Sequence, residues 1–391
     1  MRYDFDSPLN RRLTDSLKWR MYDEDVIPLW VADMDFVSPA PVIQALRERV
    51  EHGVFGYPEG ILGDGKDLPA FCHLMVDRLA ARYNWRVQPE ELVFIPGVVT
   101  AFNLACHAFA APGGGVLMHT PIYFPILNTP QATNTLRQDA PLARDGDSIY
   151  RIDWDAFSSA ITPETRLFIL CNPHNPAGRV FAGAELERMA EICLKRGLVI
   201  CSDEIHCDLI YQGHQHVPIA SLDSDIARNA ITLMAPTKTF NLAGLQCSIA
   251  IIPDPGLRQK YQQAQRGLVG WVNLMGLLAA QVAYREGQEW LDQLLVYLEA
   301  NRDFLYEYVR RELPGVTLAK PEATYLAWLD CRQAGIDGNP GEFFLQQARV
   351  ALSDGAQFGP GGEGFVRLNF GCPRATLVEA LERMKKSLAK I

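Results

Sequence analysis

Basic charge is scarce in this chain. Its 391 residues carry 37 Lys and Arg against 46 Asp and Glu, a formal net charge of −9, and no tract concentrates the cations. A nucleic-acid partner is not expected, because neutralising phosphates takes clustered Lys and Arg. Long apolar runs are missing too. None approaches the roughly 18 residues of a membrane-crossing helix, so no membrane partner is expected. The first residues, MRYDFDSPLNRR, are charged from the outset and lack the apolar core of a secretory leader. Paired cysteines are absent. The nine cysteines are dispersed with no CxxC spacing, which reads as reduced core thiols of a cytoplasmic protein, Cys201 and Cys207 included. His214 and His216 in HQH have no acidic or Cys neighbour at ligand spacing, so no metal site is assigned.

What remains is an ordinary globular composition, 48% apolar and 21% charged, in a chain long enough for about two domains. Through the middle, short apolar runs alternate with helical patterns. ELVFIPG (91–97), GGGVLMHTP (113–121), TRLFILCNP (165–173), GLVICSDE (197–204) and AITLMAP (230–236) read as strands, rich in Val, Ile and Leu on both faces. That pattern predicts a mainly parallel α/β sheet between helices. QCSIAIIPD (246–254) follows too closely for a crossover helix and is expected to pair antiparallel. After about residue 285 comes a long amphipathic helix over 290–313, then two shorter strands, ATYLAWLD and GFVRLNFG. These predict a smaller α+β domain over 285–391, completed by an N-terminal segment over 1–48, with the large domain over 49–284.

In such a sheet, ligands bind beyond the carboxyl ends of the strands. One lysine, Lys238 in APTKTFNLAG, stands at such an end with no other charge beside it. A surface loop lysine is the bland reading. In dry surroundings the amine loses its proton readily and becomes a nucleophile that forms Schiff bases with aldehydes, pyridoxal phosphate (PLP) above all. Asp203 ends another strand, where it can cap a helix or hold a pyridinium N–H. Asn175, in the turn CNPHNPAG, has an amide to donate to a ring oxygen, although the turn alone explains Asn and Pro. Gly97 precedes a helix start that offers free backbone N–H groups at Val99 and Thr100 to a phosphate. Tyr123 can be core, or can stack on a planar ring. Arg367 is a lone cation in an apolar strand, suited to a fork-to-fork pair with a substrate carboxylate.

Together these residues resemble the fold-type I PLP enzymes of the class I/II aminotransferase superfamily, over nearly the whole chain from about residue 25. The resemblance implies the PLP-dependent transferase fold. It makes Lys238 the Schiff-base lysine, Asp203 the partner of the pyridine nitrogen, Asn175 the partner of the phenolic oxygen, Tyr123 the stacking ring and Arg367 the substrate-carboxylate arginine. Within the superfamily, PLWVADMDF (28–36), FGYPEG (55–60) and His206 in SDEIHCDL resemble the cystathionine β-lyase branch of MalY/PatB type. On that resemblance Tyr57 reaches the phosphate of the neighbouring subunit's cofactor, which implies a homodimer, and Ala32 lies at the substrate. Two positions depart from the wider pattern, Gln246 for an arginine and Ala235 for a serine. The phosphate then relies on Val99, Thr100, Thr237 and Tyr57. The implied activity is α,β-elimination on L-cystathionine or related cysteine S-conjugates. Transamination between an amino acid and a 2-oxo acid is the alternative, since it uses every one of these residues. Racemisation and a silent binding role on the same fold rank below both.

Overall fold

The computed structural model describes residues 3–58, 68–146 and 148–391. Glu59 and Gly60, the end of the FGYPEG motif, lie outside them. Thirteen strands are present among the described residues: β1 Ile27–Pro28, β2 Leu92–Ile95, β3 Gly115–Thr120, β4 Leu136–Arg144, β5 Tyr150–Ile152, β6 Thr165–Cys171, β7 Val199–Asp203, β8 Ala230–Met234, β9 Ser248–Ile251, β10 Leu326–Asp330, β11 Val350–Ala351, β12 Ser353–Asp354 and β13 Phe365–Asn369. Eight form one sheet in the order β2-β9-β8-β7-β6-β3-β4-β5. From β4 through β3, β6 and β7 to β8 every pairing is parallel. β9 runs antiparallel to both β8 and β2, as its short connection to β8 requires.

The apolar runs form strands because both faces of the sheet are covered. Leu167 and Ile169 face one core, with Phe102, Val116 and Ile231. Phe168 and Leu170, one residue out of step, face the other, with Leu117, Ile200 and Ile249. This is the period-two alternation of a strand buried on both sides. Removing a fully buried side chain such as Phe168 would cost about 3–5 kcal/mol.

Two strands of the large sheet, β4 and β5, escaped the sequence reading, as did the two-residue strands β1, β11 and β12. β4 is LRQDAPLAR, half exposed and interrupted by Pro141. It pairs with β3 over 136–141 and with β5 only over 142–144, so Pro141 has a free edge on the side away from β3.

The second layer is a three-stranded antiparallel sheet in the order β10-β13-β12. It puts Arg367 opposite Trp328 on one side and Ser353 on the other. Helices Gln288–Glu312 and Arg374–Leu388 accompany it. The amino-terminal β1 pairs in parallel with β11, which joins the start of the chain to this layer.

Candidate active site

The register of the large sheet levels its carboxyl ends. Asp203 lies opposite Cys171 on β6 and Leu233 on β8. Beyond those ends, Lys238 sits in a short helical turn, Pro236–Thr239, that follows β8. A cavity of about 260 Å³ opens there. Lys238, Asp203, Asn175, Tyr123, His206 and Thr237 line it, together with Val99, Thr100 and Ala32. Of the residues expected at the cofactor, all but Tyr57 meet in this one space.

One wall is the start of helix Val98–Phe109. Gly97 precedes it with φ 99°, a left-handed conformation that a side chain disfavours. The first helical N–H groups are left without intrahelical acceptors, an arrangement that could hold an anion. The Thr100 hydroxyl lies within 3.2 Å of the Pro96 carbonyl, to which it donates. Gln246 also lines the cavity, where an arginine would add a cation.

Burial sets the electrostatics. Desolvation pulls the Lys238 amine down to about 8, and Asp33 and Asp203 only partly offset it. The same cause pushes the Asp203 carboxyl up to about 7, against the Ile205 N–H bond at 3.2 Å and the Lys238 charge. Burial also holds His206 neutral, down at about 3, helped by the nearby Lys238 and Arg367 charges. Its Nδ1 is buried and has no partner among the described residues. A buried carboxylate and an orphaned imidazole nitrogen are what a heterocycle with a ring N–H and a phenolic oxygen would satisfy, so the residues present fit PLP.

Arg367 is 2% exposed and mostly committed. Its Nη1 donates to Asn175 Oδ1 at 3.0 Å, and its Nη2 donates to the Trp30 carbonyl at 3.0 Å and to Ser353 Oγ at 3.3 Å. Nε is buried and unpartnered among the described residues. Desolvation lowers the guanidinium to about 10, which leaves it cationic at neutral pH. Because Asn175 Oδ1 faces Arg367, its amide nitrogen is the end left for a ring oxygen.

The PLWVADMDF motif is a strap. The Ala32 carbonyl accepts from Lys238 Nζ at 2.7 Å and from the Tyr325 hydroxyl at 3.1 Å. Asn369 Nδ2 donates to the carbonyls of Val31 and Asp33. Asn241 Nδ2 donates to those of Met34 and Phe36. Behind it, the buried Lys18 pairs with Asp35 at 2.7 Å, and Arg11 bridges Asp33 and Asp35. The strap's carbonyls thus tie the lysine turn to the small sheet.

Tyr325, Asn369 and Asn241 were missed from sequence. Asn369 was findable: two residues after Arg367 on one strand, it faces the same side. His216, considered for a metal, is instead buried against Glu204 at 2.8 Å. Tyr57 is 82% exposed and packs edge-on to Trp271, with ring centroids 5.8 Å apart.

The sequence profile of the class I and II aminotransferases matches residues 24–384. The chain belongs to that family. It is 41% identical to cystathionine beta-lyase PatB of Bacillus subtilis (strain 168), over 99% of this chain and all of that protein. The crystal structure of OvoB superposes with a TM-score of 0.93 at 42% identity, both chains covered fully. Cystalysin from Treponema denticola, whose structure contains a pyridoxal 5′-phosphate cofactor, gives a TM-score of 0.93 at 30% identity, again with both chains covered fully. These relatives support the lyase branch that PLWVADMDF suggested, on the aminotransferase fold expected from the strand pattern.

Proposed function

We propose that this protein is a PLP-dependent carbon–sulfur β-lyase that cleaves L-cystathionine or related cysteine S-conjugates to a thiol, pyruvate and ammonia. One observation carries the reading. The cavity that gathers Lys238, Asp203, Asn175 and Tyr123 continues, through Ala32, Tyr123 and Lys238, into a second cavity of about 340 Å³ that Arg367 lines. Full-length identity to a named lyase, rather than any residue in the site, favours elimination over transamination.

When bound, PLP supplies an aldehyde that carries the amino group and an electron-poor ring that accepts the electron pair left at the substrate α-carbon. Asp203 would hold the ring nitrogen, whose N–H would favour the charged form of the carboxyl. Asn175 and His206 would serve the phenolic oxygen, Tyr123 would stack on the ring, and Val99, Thr100 and Thr237 would hold the phosphate. Arg367 holds the substrate carboxylate and so fixes which α-bond faces Lys238. The Lys238 amine, near neutrality in its proton affinity, removes the α-proton as general base, and the Ala32 carbonyl orients it. The thiolate then leaves from the β-carbon. The released 2-aminoacrylate hydrolyses to pyruvate and ammonia.

On this reading residues 49–284 hold the cofactor, while 1–48 and 285–391 supply the strap and Arg367. The active unit is a homodimer. Phe55, Tyr57, Leu268 and Trp271 are exposed apolar groups on one chain, and a second copy would cover them and place Tyr57 at the partner's phosphate. No helix among the described residues is long and apolar enough to cross a membrane. All nine cysteines are buried, which suits the cytoplasm. The test is steady thiol release from L-cystathionine by the holoenzyme. It should be abolished by Lys238→Ala, and release that survives this change would overturn the assignment.

A further inference from the structure

The second cavity is not electrostatically uniform. Its basic lining residues, among those described, are Lys238 and Arg367, both at the end shared with the cofactor site. The same lining carries two carboxylates, Glu342 and Asp354, and neither of them lines the cofactor cavity. They come from adjacent elements: helix Pro340–Phe343 lies against β12, so that a Cβ placed on Gly341 would stand 3.5 Å from the Asp354 Cα. Asp354 Oδ1 accepts the Ala356 N–H at 3.0 Å and caps the following turn. No side-chain donor engages its other oxygen among the described residues, and none engages the Glu342 carboxylate. Much of the remaining wall is apolar and aromatic. Tyr22 and Trp30 meet edge-to-face at 6.1 Å, beside Phe124 and Leu352.

The inner end has its own sign of a ligand. Arg367, 2% exposed, keeps a buried Nε without a partner, as a site awaiting a carboxylate does. A cysteine conjugate anchored there by its α-carboxylate would place its sulfur arm in a cavity whose remaining wall is this aromatic surface and the two carboxylates. We propose that Glu342 and Asp354 select S-conjugates whose leaving arm ends in a cationic group over those whose arm ends in a carboxylate. This rests on the lyase reading and names the substrate class within it. A terminal ammonium gains two opposite charges and aromatic faces, whereas a terminal carboxylate meets like charge. L-Cystathionine, whose distal end carries both groups, satisfies the rim with its ammonium.

The test compares three conjugates of matched arm length, S-(3-aminopropyl)-, S-butyl- and S-(3-carboxypropyl)-L-cysteine. Thiol release by the holoenzyme gives kcat/KM, and calorimetric titration gives affinity. The expected order is amine, then alkyl, then carboxylate, with at least about a fivefold gap between the ends that narrows at high salt. Glu342→Gln with Asp354→Asn, which keeps the capping oxygen, should bring the amine-to-carboxylate ratio to within about twofold. A parent ratio near one, or a ratio that the double change leaves intact, would overturn the proposal. If no conjugate is cleaved, the lyase reading fails, and the order of affinities still decides the selectivity of the rim.

Discussion

Lys238 and Asp203 are both charged at a cost in the cofactor-free protein, and the signs can be worked out. The Asp203 carboxyl is raised from 3.8 to about 7, so its contribution to stability is full below about 4 and lost as pH rises through about 7. The Lys238 amine is lowered from 10.5 to about 8, so its contribution is present above about 10.5 and lost as pH falls through about 8. Near pH 7.5 the apoprotein bears both penalties, eased by their mutual attraction. Lys238→Met should therefore end turnover yet raise apoprotein stability by about 1–2 kcal/mol at pH 7, read by denaturant unfolding. Asp203→Asn should remove the fall in melting temperature between about pH 4 and 7, and lower kcat by about 100-fold or more as the ring loses its counter-charge. An unchanged melting profile would refute the burial argument. Arg367→Lys keeps the charge but loses the fork that reaches Asn175 and the substrate at once, so KM should rise about 10-fold or more with little change in fold. That split is read from steady-state kinetics.

Among the elements, the turn into helix Val98–Phe109 and the strap do the positioning. Gly97→Ala introduces a Cβ that meets nothing within 4 Å, so its cost is conformational alone, about 1 kcal/mol. Because the free N–H groups move with that turn, PLP should dissociate more readily, which equilibrium dialysis measures. Unchanged cofactor affinity would remove the helix start from the phosphate site. The elements also show how far a sequence can be read. β3, β6, β7 and β8 were legible because burial on both faces leaves continuous Val, Ile and Leu runs. β9 was legible because the eight residues between its neighbour's lysine turn and its own start leave no room for a crossover helix. β4 was not, since its exposed edge tolerates Arg137, Gln138, Asp139 and Pro141. In the site, charged residues at strand ends could be found one at a time. Tyr325, whose hydroxyl meets the same carbonyl as Lys238, carries no such mark, and the strap works through backbone carbonyls that any side chain supplies.

For the molecule as a whole, two cavities share one lysine turn. If Tyr57 acts across an interface, Tyr57→Ala and Lys238→Ala chains should each be impaired alone. Mixed after reversible dissociation, they should recover about a quarter of parental activity, because half the dimers then carry one intact site. No recovery would place Tyr57 outside the neighbour's site. Transamination needs the same lysine, aspartate and arginine, so only the fate of the substrate separates the two chemistries. The most direct measurement follows pyruvate and free thiol together as the holoenzyme meets L-cystathionine with no 2-oxo acid present. The account predicts both products in equal amounts over many turnovers. A single equivalent of reaction per site, with activity restored only by adding a 2-oxo acid, would contradict it and make the protein an aminotransferase.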